Sequence, residues 1–273
     1  MAHAPLPMLP PQRGFGETQR IDAWWVQPLV FITTIVVCFG YLTWAALQGN
    51  HYEVAGTGYL SPAYSPVLWG DSHHNWFGAA KPAWLPWPSF LVFSPALLIL
   101  PFPGLFRFTC YYYRGAYYKA FWADPPNCAV GEPRKGYLGE NSLPLVLQNL
   151  HRYALYIALV FVVILSWDVW KALWFDAPGG GKEFGLGVGT LVLAVNVVCI
   201  GSYTFGCHAF RHLVGGFKDE ISKSKVSQVC YNCSSSLNRW HMNWAYISLV
   251  WVAFADLYVR LCSMGVWTDY RIF

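Results

Sequence analysis

The chain has 273 residues, 55% of them apolar, 18% aromatic and only 12% charged, with a formal net charge of +4. Soluble domains carry about 25% charged residues, so this composition excludes an ordinary water-soluble protein. The small positive excess reads as membrane topology rather than as a nucleic-acid footprint.

Several apolar runs exceed the ~20 residues that cross ~30 Å of hydrocarbon, which predicts an all-α integral membrane protein with five transmembrane helices. Residues 1–20 form a polar, Pro-rich tail. The apolar run that starts at Ile21 is too long for a signal-peptide core and lacks a small-residue cleavage site. Residues 21–273 are then one transmembrane domain. The first span covers about 21–47, with Trp24, Trp25 and Trp44 as interfacial anchors. A loop over 49–88, rich in Gly, Pro, Trp and Tyr, is expected to pack over the outer mouth of the bundle. It holds His51, His73 and His74, but adjacent residues rarely converge on one ion, so a zinc site at His73-His74 is not expected.

The second span, about 89–113, carries Pro95, Pro101 and Pro103 and should be kinked. It runs into the aromatic, basic segment Arg107 to Trp122, which resembles an interfacial helix, and the loop 114–142 would face an aqueous partner. The third span, about 143–174, opens with Asn149-Leu150-His151-Arg152-Tyr153 and contains Asp168. The fourth, about 184–210, has Gly185, Gly187, Gly189 and Gly201, which predict close helix approach. After the loop 211–239, the fifth span covers about 240–266. Asp256 with Arg260, and Asp168 with Lys171, read as structural pairs one turn apart.

Of the 18 Lys and Arg residues, all but Lys81, Lys171, Lys182, Arg260 and Arg271 fall on one side of this arrangement. The positive-inside rule therefore places the N-terminus in the cytoplasm and the C-terminus outside. None of the eight cysteines lies in an outer loop, so structural disulfides are not expected.

That topology brings four spans to one depth with a soft or borderline metal ligand each: Cys110, His151, the Cys207-His208-His212 cluster, and His241. Bundles build metal and cofactor sites in this way, from side chains on facing helices. Two Cys plus two His is the ligand set of a Rieske-type [2Fe–2S] centre. Zinc accepts the same set, and haem b would take His151 with His241 or His208. The outer halves of the spans have no His to stack a second haem. Adjacent helical residues point about 100° apart, so at most one of Cys207 and His208 faces such a site. A non-redox scaffold or assembly protein with Cys and His as packing residues, and a thiol-redox or metal-handling protein using Cys230 and Cys233, are the competing classes.

The runs Phe106-Arg107-Phe108-Thr109-Cys110-Tyr111-Tyr112-Tyr113-Arg114, Asn149-Leu150-His151-Arg152-Tyr153 and Arg239-Trp240-His241-Met242 resemble the membrane-anchor (cytochrome b-type) subunit of succinate:quinone oxidoreductases, in its actinobacterial form. The resemblance covers the chain from about Trp24 on. Better-known relatives hold haem b with four membrane His; here the outer pair is missing and Cys stands at two matching ends. The resemblance implies a Rieske-like [2Fe–2S] cluster on Cys110, His151, Cys207 and His241. It also implies a flavoprotein and an iron–sulfur subunit docked on basic cytoplasmic loops, and a place in the respiratory chain of the cell membrane. Electrons would pass to a quinone, menaquinone in this type, and the chain itself would not oxidise succinate. For quinone carbonyls and a proton source the candidates are His208, Arg211, His212, Arg152 and Trp240. A higher oligomer of the complex is compatible with this reading.

Overall fold

The computed structural model describes residues 14–136, 142–143, 145–216 and 218–273. Most of the expected tail 1–20 and parts of the expected loops 114–142 and 211–239 lie outside the described residues. Helix α1 (Val26–Gln48) is apolar around most of its circumference and leaves Val30, Val36 and Val37 exposed, as a helix facing hydrocarbon does. It ends at Gly49 in the left-handed conformation (φ 64°), where a Cβ would stand 2.6 Å from the Phe93 carbonyl oxygen. Only glycine fits both demands.

The expected second span, 89–113, is not one helix. Residues 89–94 are irregular, followed by α2 (Pro95–Ile99), α3 (Pro101–Phe108), α4 (Tyr111–Ala116) and a π-helical turn over Tyr117–Phe121. Pro95 and Pro101 each open a short helix, where a missing N–H costs nothing. From Pro95 to Phe108 the helical path covers ~21 Å, short of the ~30 Å hydrocarbon core. The kinks expected from the prolines are thus full breaks.

Helix α5 (His151–Lys171) follows a 3-10 turn over Leu145–Leu150. A two-stranded hairpin, β1 (Trp174–Asp176) and β2 (Lys182–Phe184), leads into α6 (Val188–Phe205). Two amphipathic helices, α7 (His208–Gly215) and α8 (Lys225–Arg239), precede α9 (His241–Ser263). Among the described residues four helices are long and apolar enough to cross a membrane: α1, α5 with the turn before it, α6 and α9. The protein is a helical membrane protein. Helices α6 and α9 form the principal pair, with α5 against α3 and α6, and α1 against α9.

The aromatic loop between α1 and α2 is tied to the bundle by buried polar contacts. Tyr64 Oη donates to the Ala45 carbonyl at 2.6 Å, and Arg260 donates to the carbonyls of Asn50 and Ala45. Asp256 accepts from Ser61 and from Tyr41 Oη (2.6 Å) with Arg260 Nε 3.6 Å away, and Asp168 accepts from Ser65 and pairs with Lys171 at 2.8 Å. Both intramembrane carboxylates thus anchor the loop.

The helix-packing role expected of the α6 glycines is also corrected. Cβ atoms at Gly187 and Gly189 would meet not a helix but Tyr59 of the loop, 2.2 Å from its Oη and 2.4 Å from its Cε2. At Gly201 the nearest group is Phe205, on the same helix, at 3.6 Å. The Tyr59 ring cannot retreat, since its Oη is held by Asp269 (2.7 Å) and Thr190 (3.3 Å). Gly189→Ala should therefore cost about 1–3 kcal/mol by overpacking, read as a lower thermal midpoint of the purified complex; an unchanged midpoint would show that the loop yields.

Candidate metal centre

Cys110 and Cys207 occupy the same local position in two different parts of the chain. Each is an extended residue (φ −70°, ψ 134° and φ −66°, ψ 140°) between the end of an apolar helix and the start of a short one, α4 or α7. As N-cap residues they face the unpaired amides of the next turn. Those of Tyr112 and Tyr113 lie toward Cys110 Sγ, and those of Ala209 and Phe210 toward Cys207 Sγ, short of full hydrogen-bond geometry. The break before Cys207 needs Gly206, where a Cβ would lie 2.7 Å from the Ser202 carbonyl oxygen and 3.1 Å from Leu237. Helix α8 closes the exposed end of α6 there: Ser234 Oγ donates to the Phe205 carbonyl at 2.9 Å and Asn238 Nδ2 to that of Gly206 at 2.7 Å.

The two histidines are likewise matched, His151 opening α5 and His241 opening α9. The four side chains meet in the bundle. Cys207 Sγ is 3.1 Å from His151 Nε2, and Cys110 Sγ is 3.8 Å from His241 Nε2. Cys110, Cys207 and His241 are almost fully buried and His151 is half-buried. Thr109 Oγ1 bonds His151 Nδ1 at 2.9 Å, which orients the ring with Nε2 toward the thiols. Such a bond fixes a ligand tautomer. Phe106 stacks on His151 (4.6 Å) and Tyr203 on His241 (5.0 Å), locking both planes. His241 Nδ1 is buried without a partner. No three of the four donor atoms come within 4.8 Å of one another, so the constellation is wider than one tetrahedral ion requires.

The model of the actinobacterial succinate dehydrogenase subunit SdhC matches residues 26–265. The chain is also similar to a chain of the Mycobacterium smegmatis Sdh1 complex in the apo form, with 36% identity and a TM-score of 0.82 over 99% of this chain and 97% of that one. No curated protein sequence matches it. The chain belongs to the actinobacterial SdhC family. It is therefore the membrane subunit of a succinate dehydrogenase complex, and its partners are the other subunits of that complex.

In this SdhC subunit three of the five residues expected near quinone, His208, Arg211 and His212, stand on α7, while Arg152 is on α5 and Trp240 directly precedes α9. His208 and His212, one turn apart on α7, place their Nε2 atoms 3.0 Å from each other, both exposed. Arg211 lies over the Tyr231 ring of α8, Arg152 over Tyr153, and Trp240 is exposed. Two cavities, of about 540 and 530 Å³, are lined by none of them; the second is an apolar groove between α5 and α6 that ends at Phe205 and Leu237. Cys230 and Cys233 are exposed on α8, outside the four-residue cluster.

One buried charge that the sequence reading did not single out lies near Cys110. Arg107 of α3 is 9% exposed, and its guanidinium bonds Tyr113 Oη (2.7 Å), the Ala245 carbonyl (3.1 Å) and Ser248 Oγ (3.1 Å) while lying 5.0 Å over the Tyr203 ring. These partners are all neutral, so the positive charge is left uncompensated beside Cys110. A charge inside an apolar run was the available signal.

Proposed function

We propose that this SdhC subunit is the quinone-reducing anchor of the complex and holds a [2Fe–2S] cluster on Cys110, Cys207, His151 and His241. The observation that carries the reading is the convergence of those two thiols and two imidazoles, from four separate helices, in a buried pocket. The donor types suit a Rieske-type centre, and their spread is wider than a zinc ion needs. The haem reading fits less well. A porphyrin between His151 and His241 would have to expel the thiols that stand 3.1 and 3.8 Å from their Nε2 atoms.

When bound, such a cluster supplies one-electron transfer at this level of the membrane. The chain's own residues do the rest. Thr109, Phe106 and Tyr203 hold the imidazoles in place. Arg107 favours the more negative oxidation state of anything bound at the thiols. His208 and His212, next to Cys207 and open to water, supply protons to a reduced menaquinone, with Arg211, Arg152 and Trp240 at the same level. The docked iron–sulfur and flavoprotein subunits lie on the cytoplasmic face of the cell membrane. The N-terminus is on that side, and the broken α2–α3 segment completes the fifth crossing together with the irregular residues before it.

The test is the electron paramagnetic resonance of the dithionite-reduced complex. A rhombic [2Fe–2S] signal with low average g and couplings to two imidazole nitrogens is expected, beyond the signals of the soluble subunits. A haem absorption band with no such signal would replace this reading by the cytochrome one.

A further inference from the structure

The aromatic loop brings together three ligand groups unrelated to the thiol–imidazole centre. A turn closes from Ser72 to Asn75, with Asn75 N donating to the Ser72 carbonyl at 3.3 Å. His73 and His74 form its corner, and their rings meet with centroids 4.0 Å apart. Glu53, from the start of the loop, lies against them: its Oε2 accepts from Ser72 and stands 3.4 Å from His73 Nδ1. One donor atom from each of Glu53, His73 and His74 falls within 4.8 Å of the other two, the only trio of this kind among the described residues. Adjacent histidines, not expected to converge from sequence, do so because the turn folds both rings to one side.

We infer that Glu53, His73 and His74 form a binding site for a divalent transition-metal ion of the zinc class. Carboxylate plus two imidazoles is the donor set of three-ligand zinc sites, which keep an open fourth position. A second observation points the same way. His74 is 6% exposed, and its Nε2 is buried with no partner, so a buried polar group is left unsatisfied unless something binds it. A cavity of about 540 Å³, lined by Glu53, His51, Asp71 and Gly70, opens beside the trio and admits an ion from water.

Lys171 is the built-in competitor. Its ammonium donates to His74 Nδ1 at 2.9 Å, which leaves the imidazole proton on Nε2. Coordination through Nε2 moves that proton to Nδ1, and coordination through Nδ1 displaces the ammonium. In both cases Lys171 turns to Asp168, already 2.8 Å away. The site is remote from the thiol–imidazole centre. Lys171 and His151 stand at opposite ends of α5, about 30 Å apart at 1.5 Å per residue.

The purified, iron-loaded complex, dialysed against buffered zinc and counted by plasma mass spectrometry, tests the site. One zinc per chain is expected, with binding weakened at least tenfold in His73→Ala and in Glu53→Gln and unchanged in His51→Ala, which alters the same cavity outside the trio. Absence of stoichiometric zinc in the parent complex would overturn the site. So would equal binding in His73→Ala, or an equal loss in His51→Ala.

Discussion

Cys207→Ser and His241→Ala should each abolish the anchor's paramagnetic signal and reduce succinate-driven quinone reduction by at least ~100-fold, while succinate oxidation with a soluble electron acceptor stays near the parent rate. The magnitude follows from the ligand role. Loss of a group that only orients a metal ligand already costs about 10–100-fold in affinity or activity, and these two residues would contact the metal directly. The serine variant matters most, because it keeps the volume at a site where Cys207 is 2% exposed and replaces a soft sulfur by a hard oxygen. His241→Ala also leaves Tyr203 without its stacking partner, so part of its effect is packing. Retained signal and retained quinone reduction in Cys207→Ser would remove Cys207 from the ligand set and favour the scaffold reading of the cluster.

Arg107→Met should lower the reduction potential of the site without removing it. A unit charge roughly 8 Å away, at an effective dielectric of about 20, is worth about 2 kcal/mol, or ~90 mV for a one-electron couple. Redox titration of the paramagnetic signal reads this shift directly. Arg107→Lys keeps the charge but loses the planar fork that bonds Tyr113, Ala245 and Ser248, so its potential should stay closer to the parent. The two variants separate charge from packing. Methionine leaves the Ser248 hydroxyl without the Arg107 contact, at a cost of roughly 1–3 kcal/mol in stability. If the potential is the same in parent and methionine variant, Arg107 serves only to hold α3 against α9.

Membrane character, the four long apolar helices and the four Cys and His residues that meet in the bundle were legible because they depend on composition, on run length and on residue type at the ends of runs. Hydrocarbon demands long apolar segments, and Cys and His at the ends of several such segments are conspicuous in so apolar a chain. The prolines of the second span were legible as kink sites, but not that the missing N–H of Pro95 and Pro101 would divide the segment into short helices. For the five quinone candidates the structure adds the neighbours of single side chains. Arg211 turns to α8 and Arg152 to its own neighbour Tyr153.

Sequence by itself determined the class of protein and showed Cys110, His151, Cys207 and His241 at the ends of apolar runs, since these follow from local pattern. Only the tertiary structure decided which imidazole meets which thiol, that Arg107 sits among neutral partners beside Cys110, and that Gly187 and Gly189 receive Tyr59 rather than a helix. Each of these depends on contacts between residues far apart in the chain, set by the rotation of helices about their axes and by the path of a 45-residue loop between Gly49 and Phe93. Neither quantity leaves a periodic trace in the sequence.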